Sequence, residues 1–162
     1  MRAGSTACSR RLAASRRKAD RALATTQFEL VTPTRTLYSG HAEMIVCRVV
    51  DGEIAFLANH MPYIGALDTG LVRIVGPTAE ADGSPQAEVR LAVRGGFVEV
   101  KDNQVIMLAN EAELASEIDL DAARRGESTA TAAVSAAGGE EGDSTAADDL
   151  RWAQARLEAA AV

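Results

Sequence analysis

Two histidines, a cysteine within an apolar run and a pair of adjacent glycines are the residues whose types could do chemistry in this sequence. His60 lies in LANHMP (57–62) and His41 follows a Ser-Gly pair, and neither has a nearby partner that would complete a metal site. Cys47 lies in the apolar run EMIVCRVV (43–50), which is typical of a small core residue. The pattern therefore predicts structural or surface roles for these residues.

Phosphate-binding and redox motifs are absent from the sequence. The chain has no Cys-x-x-Cys pair and no glycine loop that ends in Lys-Ser/Thr. Gly95-Gly96 lacks the rest of a dinucleotide fingerprint, so we expect a positive φ or a bulge there, between two strands. Asp148 and Asp149 stand at a predicted helix start, where carboxylates cap the helix and interact with its dipole. The sequence thus predicts no catalytic residue, no metal and no cofactor.

Composition and charge limit the class of protein. The chain has 162 residues, of which 47% are hydrophobic and 4% aromatic, so one domain with an aliphatic core is expected. Residues 1–26 carry seven basic residues and one acidic residue, whereas the remainder carries ten basic and 22 acidic residues. An acidic body argues against nucleic-acid binding. Two cysteines fit a reducing compartment, and no apolar run reaches the roughly 18 residues that span a bilayer.

The segment 27–112 has the pattern of β-structure. Short runs rich in β-branched residues are separated by turn residues, and the run 87–94 alternates strictly, with Arg90 and Arg94 opposite Leu91 and Val93. About ten short strands at this spacing predict a β-sandwich. The predicted strands include 28–31, 43–50, 52–58, 70–75, 87–94, 97–100 and 104–109, with a loop at 76–86. Because 43–50 and 104–109 are apolar on both faces, one face must meet the helices or another protein.

The segment 113–162 is expected to form an antiparallel two-helix hairpin. Ser116-x-x-Asp119 and Thr145-x-x-Asp148 resemble capping boxes at two helix starts. The second helix is predicted over 148–160, with Leu150, Ala153 and Leu157 on one face and Trp152 as a further anchor. A break is predicted at GGEEGD (138–143), and the low charge of 126–147 predicts a short first helix. The fold class is thus β plus α.

The basic segment 1–26 has two interpretations. It is a disordered tail, or an extra N-terminal extension that arises from an upstream start codon. Its Arg-, Ser- and Ala-rich composition also resembles an organellar transit peptide, but it lacks the apolar core of a secretory signal.

Four stretches, taken in order, carry a resemblance to a known family: TPTRTLYSGHAEMI (32–45), DGEIAFLANHMPYIGALDTGLVRI (51–74), VRGGFVEVKDNQVIMLANEAE (93–113) and EIDLDAARR (117–125). Together they resemble the epsilon subunit of F-type ATP synthases, and 106–125 is most similar to actinobacterial members. The resemblance implies a non-catalytic rotor subunit that couples proton flow to ATP synthesis. It implies a peripheral location on the cytoplasmic face of the bacterial plasma membrane.

The resemblance also implies partners. The sandwich would contact the gamma subunit and the c-subunit ring, while the helical hairpin would regulate ATP hydrolysis by extending toward the alpha and beta subunits. His60 and Pro62 match the family's histidine-proline turn and are candidate partner contacts. Arg151 and Arg156 are expected to meet acidic loops of the catalytic subunits when the hairpin extends.

Some members of this family bind ATP through Ile/Leu-Asp-x-x-Arg-Ala and a later arginine. Ile118, Asp119 and Ala123 match this motif and Arg124 lies close to it, so these four residues are the candidates for an ATP site. Ala122 replaces the motif arginine, which argues against nucleotide binding.

Two alternatives stay open at this point. One is the organellar counterpart of the same subunit, with 1–26 as its transit peptide. The other is a free-standing β-sandwich that binds a small ligand, which would require a concave polar site.

Overall fold

The computed structural model describes residues 24–79, 85–136 and 144–161. Within these residues, eight strands form a β-sandwich that is followed by two helices, as the sequence predicts. The strands are β1 (Thr26–Val31), β2 (Thr36–Ala42), β3 (Met44–Val49), β4 (Gly52–Leu57), β5 (Tyr63–Leu67), β6 (Gly70–Ala79), β7 (Pro85–Lys101) and β8 (Gln104–Leu114). Most of the predicted 1–26 segment lies outside the described residues.

The strands pair in the order β2-β1-β8-β7-β5-β3-β4, and β6 pairs with both β3 and β7. All pairs are antiparallel except β1 with β8, which is parallel. The long strand β7 pairs with β6 along its first half and with β5 along its second half. Strands β5 and β6 therefore lie end to end between β7 and β3.

The described residues form eight strands rather than about ten, and two of the predicted strands are one. Segments 87–94 and 97–100 form the single 17-residue strand β7, and the glycine pair lies within it. Gly95 and Gly96 have φ angles of 58° and 123°, so the expectation of positive φ is confirmed. The pairing with β8 continues in one register from Leu91 to Lys101. The two glycines absorb an unusual backbone conformation without ending the strand.

Further strands escaped the sequence pattern. β2 contains the Ser-Gly pair that precedes His41, and β5 follows the histidine-proline turn directly. The predicted loop 76–86 is shorter than expected, because β6 continues to Ala79 and β7 begins at Pro85. Sheet pairing has overridden weak local propensity in all of these segments, as is common for β-structure.

The core of the sandwich is aliphatic and follows the alternation in the strands. Leu91 and Val93 of β7 point inward and are almost fully buried, as predicted. Cys47 is also buried in this core. The largest fully buried side chains are Phe28, Phe56, Leu30, Ile45, Ile74, Leu91 and Met107. Because every strand contributes to one contiguous core, the sandwich is a rigid body.

Two helices follow the last strand. After one turn of 3-10 helix (Ala115–Glu117), helix α1 spans Leu120–Ala136 and helix α2 spans Ser144–Ala160. Both are 17 residues long, so the expectation of a short first helix is wrong. The predicted break at 138–143 lies outside the described residues.

The helix starts also differ from the predicted capping boxes. Asp119, not Ser116, caps α1, because its Oδ1 accepts a hydrogen bond from the backbone N–H of Ala122 at 3.0 Å. This hydrogen bond lowers the pKa of the Asp119 carboxyl. Helix α2 begins at Ser144, four residues before the predicted 148, so Thr145 lies within it rather than ahead of it.

The hairpin lies against the outer face of β6 and β7. Helix α2 packs on these strands, and α1 packs on α2. The shared apolar cluster contains Ala92 of β7 and Ala155 and Ala159 of α2, with Leu71, Trp152 and Leu157 partly buried around them. The predicted anchors Trp152 and Leu157 are thus confirmed, whereas Leu150 is only half-buried and is not part of this cluster. The most deeply buried contacts are made by alanines.

We predict that Gly126→Ala stabilises the hairpin. Gly126 lies within α1, where glycine costs about 0.5–1 kcal/mol relative to alanine. A Cβ atom there would lie 3.8 Å from the Cβ of Ala153, which is an ordinary contact. The free energy of unfolding, measured by urea titration with circular dichroism at 222 nm, should rise by about that amount. A loss of stability would contradict the described packing of α1 on α2.

Candidate docking surfaces

An exposed apolar surface covers the outer side of β5, β7 and β8. We call it the outer apolar face and define it by Ile64, Phe97, Ile106 and Leu108. Phe97 and Leu108 are paired residues on adjacent strands, with 61% and 54% of their surfaces exposed. Ile64 is 76% exposed, and Glu99 lies between it and Ile106 across the sheet. Neighbouring exposed apolar side chains of this size mark a binding surface.

The strand alternation explains why this face exists. Val98 and Met107 point into the core, so Phe97 and Leu108 must point away from it. The sequence predicted that 104–109 would present a second apolar face, and Leu108 confirms this. The helices do not cover that face, because α2 packs on β6 and the first half of β7 instead. The outer apolar face is therefore left for another molecule.

The predicted contacts His60 and Pro62 lie in the loop between β4 and β5. The His60 ring packs edge-on against Phe56, with 5.1 Å between ring centroids, and its Nδ1 lies 2.8 Å from the Met61 carbonyl oxygen. Pro62 and Met61 are exposed. His60 therefore shapes the loop, whereas Pro62 lies at the surface beside an exposed methionine.

The backbone of this loop is fixed by asparagines. Asn59 has a φ of 60°, and its N–H donates to Oδ1 of Asn103 at 2.7 Å. Asn103 itself follows Asp102 in a turn where both residues have positive φ. Asparagine tolerates this conformation better than most residues. Asn59 thus supplies the left-handed backbone that this loop requires.

The remaining chemically capable residues are isolated. Burial raises the pKa of the Cys47 thiol to about 12, with a smaller contribution from the charge of Glu53, so the nucleophilic thiolate is not formed at neutral pH. His41 is exposed on β2. Among the described residues, no group of three or more His, Cys, Asp or Glu side chains could hold a metal ion.

The four ATP-site candidates lie around the start of α1. Ile118 and Ala123 are buried in the cluster between the hairpin and the sheet, and Asp119 is occupied as the helix cap. Arg124 is exposed. The motif residues thus have structural roles, in keeping with the missing arginine at Ala122. Absence of nucleotide binding stays a prediction, and a melting temperature that rises with MgATP would contradict it.

Ion pairs join the hairpin to the sandwich. Arg156 Nε donates to Glu113 Oε2 at 2.9 Å, and Arg94 Nη2 donates to Asp149 Oδ1 at 2.6 Å. Arg151 Nη2 donates to Asp148 Oδ1 at 2.6 Å within α2. The sequence pattern singled out Arg156 but not its partner. The alternation in 87–94 did place Arg94 on the outward side of β7, together with Arg90 and Ala92, where a helix could contact it.

Comparison with known proteins decides the family. The sequence pattern of the family described as "ATP synthase, Delta/Epsilon chain, beta-sandwich domain" matches residues 25–115. The chain belongs to the ATP synthase epsilon family. The epsilon chain of Brevibacillus brevis is 46% identical over 96 residues, which cover 59% of this chain and 67% of the relative. The epsilon chain of Synechococcus sp. is 36% identical over 134 residues, which cover 81% of this chain and 91% of the relative.

A solved structure shares the fold of this epsilon-family chain. The structure is that of the Euglena gracilis mitochondrial ATP synthase, described as OSCP/F1/c-ring. It superposes with a TM-score of 0.65 at 23% identity, and covers 85% of this chain and 81% of the matched chain. Among the described residues, no helix is long and apolar enough to cross a membrane. Similarity to actinobacterial members in particular stays a prediction.

Proposed function

We propose that this chain is the non-catalytic epsilon subunit in the rotor of a proton-translocating F-type ATP synthase. Membership of the epsilon family carries the proposal. The architecture supports it, since a contiguous core makes the sandwich rigid enough to transmit torque. Of the residues whose types could do chemistry, Cys47 is buried, His41 is exposed by itself and His60 packs against Phe56. The family assignment displaces the alternative of a free-standing ligand-binding module.

The outer apolar face is the proposed contact with the gamma subunit. Phe97 and Leu108 form its centre, and the acidic side chains of Glu29 and Glu99 lie in the next row across the sheet. An apolar centre beside polar groups is the usual anatomy of a protein–protein interface. The surface lies on the rigid part of the molecule, so binding requires little ordering of the chain.

The c-subunit ring is proposed to meet another part of the sandwich, and Pro62 in the β4–β5 loop is the candidate contact. The alpha and beta subunits are proposed to meet the hairpin only when it leaves the sheet, through Arg151 and Arg156. The expected location is peripheral, on the cytoplasmic face of a bacterial plasma membrane. An organellar counterpart would instead be found with a mature N-terminus near Thr25.

Regulation is proposed to reside in the hairpin. Helix α2 contacts the sandwich through small side chains and a few ion pairs, so docking is far weaker than the internal packing of the sandwich. A docked hairpin would permit turnover, and an extended hairpin would impede ATP hydrolysis. Such a two-state element responds to any partner that binds one state more tightly.

A pull-down from the native membrane fraction tests the rotor assignment. The tagged full-length chain should recover gamma together with alpha and beta, identified by mass spectrometry. If regulation resides in the hairpin, removal of residues 118–162 should then raise the ATPase activity of the complex. Absence of gamma under conditions in which the synthase stays intact would contradict the rotor assignment, and unchanged ATPase activity would contradict only the regulatory role.

A further inference from the structure

The contact between hairpin and sandwich is small in apolar area. Its buried centre is Ala92 on β7 against Ala155 and Ala159 on α2, with Ala123 of α1 and Ile118 just ahead of α1 as its other buried members. Each alanine buries one methyl group, so each contributes much less than a buried leucine or phenylalanine. Trp152 and Leu157 add partly buried surface at the edge. Docking of the hairpin must therefore depend on more than apolar burial.

Two ion pairs lie beside this apolar contact. Arg94 joins Asp149 of α2, and Arg156 of α2 joins Glu113 of β8. The arginine side chains are only 24% and 19% exposed, whereas Asp149 is 53% and Glu113 34% exposed, so Arg156–Glu113 is the better shielded of the two pairs. Charge-assisted hydrogen bonds in such surroundings are stronger than those between fully solvated groups. The two ion pairs thus add to the weak stabilisation of the docked hairpin that the alanine contacts provide.

Two arginines of β7 contact α2, one in the second turn of the helix and one just after its last residue. Arg94 contacts Asp149 near the beginning of the helix, and Nη1 of Arg90 donates to the backbone carbonyl of Ala161, just after its end. A cation at the carboxyl end of a helix also interacts favourably with the helix dipole. Glu111 lies 3.8 Å from Arg94 and adds to the negative charge around it. The helix is therefore fixed along its length by charge.

We propose that Arg94–Asp149 and Arg156–Glu113 form a charge latch that sets the fraction of molecules with a docked hairpin. The proposal rests on the proposed function, because it names how the regulatory hairpin is held and released. The same Arg156 cannot bind Glu113 and a second acidic surface at once. When the hairpin leaves the sheet, Arg156 therefore exchanges Glu113 for another acidic partner. Because salt screens ion pairs, ionic strength shifts the equilibrium between the docked and the undocked hairpin.

Accessibility of a thiol placed beneath α2 measures docking in the isolated full-length chain. Ala92→Cys is a small change at a fully buried position under the helix, and Cys8→Ser leaves Cys47 as the one native thiol. The rate of labelling by a thiol reagent then reports the fraction of undocked molecules. Native Cys47 is the internal control, since its slow labelling shows that the sandwich stays folded.

Arg156→Glu should raise the labelling rate by about tenfold, and Arg94→Gln by about threefold. Combining Glu113→Arg with Arg156→Glu should restore the rate to within about threefold of the parent. Raising the salt concentration from about 0.05 M to about 1 M should speed labelling of the parent. Lys101→Glu, the same charge change at an exposed position at the end of β7 that lies away from the hairpin, should leave the rate within about twofold of the parent.

An unchanged rate in both single variants would overturn the latch. So would a swap variant that labels as fast as Arg156→Glu, because the arginine would then act through another contact, such as the Trp152 ring 6.0 Å away. The labelling assay needs no partner subunit. Failure of the latch and failure of the rotor assignment are therefore seen in different experiments.

Discussion

Replacing Phe97 with aspartate is expected to prevent assembly with the gamma subunit while the chain itself stays folded. The side chain is 61% exposed at the centre of the outer apolar face, next to Leu108. Truncation of a central aromatic at an interface typically costs about 2 kcal/mol or more, and an added charge would have to be buried unpaired. We therefore expect gamma binding to weaken by about 30-fold or more.

The matched control is Leu120→Asp. Leu120 is also an exposed apolar residue, 43% accessible, but it lies at the start of α1 and outside the outer apolar face. This variant should bind gamma like the parent chain. Binding is measured by titrating purified chain against a complex that lacks epsilon. Equal affinity for Phe97→Asp and the parent would exclude the outer apolar face as the contact.

Gly96→Ala is expected to cause the largest loss of stability among single glycine substitutions in the sandwich. Gly96 has a φ of 123°, which L-residues rarely adopt. An added Cβ would also approach the Cα of Ala109 to 2.9 Å, and β8 cannot move without disturbing the core. Strain and overpacking together should cost about 3 kcal/mol or more of the free energy of unfolding.

Gly52→Ala separates the cost of backbone strain from the cost of overpacking. Gly52 has a similar φ of 129°, but a Cβ there would meet no atom within 4 Å. Only backbone strain applies, so we expect a cost of about 1–2 kcal/mol. Urea unfolding followed by circular dichroism measures both variants. Equal losses would show that the close approach of β8 to Gly96 is not limiting.

Local pattern was sufficient for much of the fold. The alternation around Leu91 and Val93 identified a half-buried strand, and the change of composition after Glu111 separated the sandwich from the helices. These signals are local, because side chains two residues apart share a strand face and residues three or four apart share a helix face. A capping-box pattern placed the start of α1 at Ser116-x-x-Asp119, and the residue that caps the helix is Asp119 rather than Ser116.

The sequence predicted the docking surfaces only in part. Apolar residues on both faces of 104–109 indicated an exposed face, but the sequence could not say whether the helices cover it. That depends on where α2 lies, which is set by contacts between residues far apart in the chain, such as Arg94 with Asp149. Charge alone marks such residues as surface groups, and their partners follow from tertiary packing.

The sequence by itself determined a β-sandwich, a helical hairpin and membership of the epsilon family, because strand alternation, helix periodicity and ordered motifs are properties of neighbouring residues. Only the tertiary structure decided that Gly95 and Gly96 lie within one continuous strand. It also decided that α2 packs on the sheet mainly through alanines, and that Phe97 and Leu108 remain exposed. Each of these depends on which distant segments come together. The free energy of that choice lies in packing and charge pairing across the sheet, and no single segment contains it.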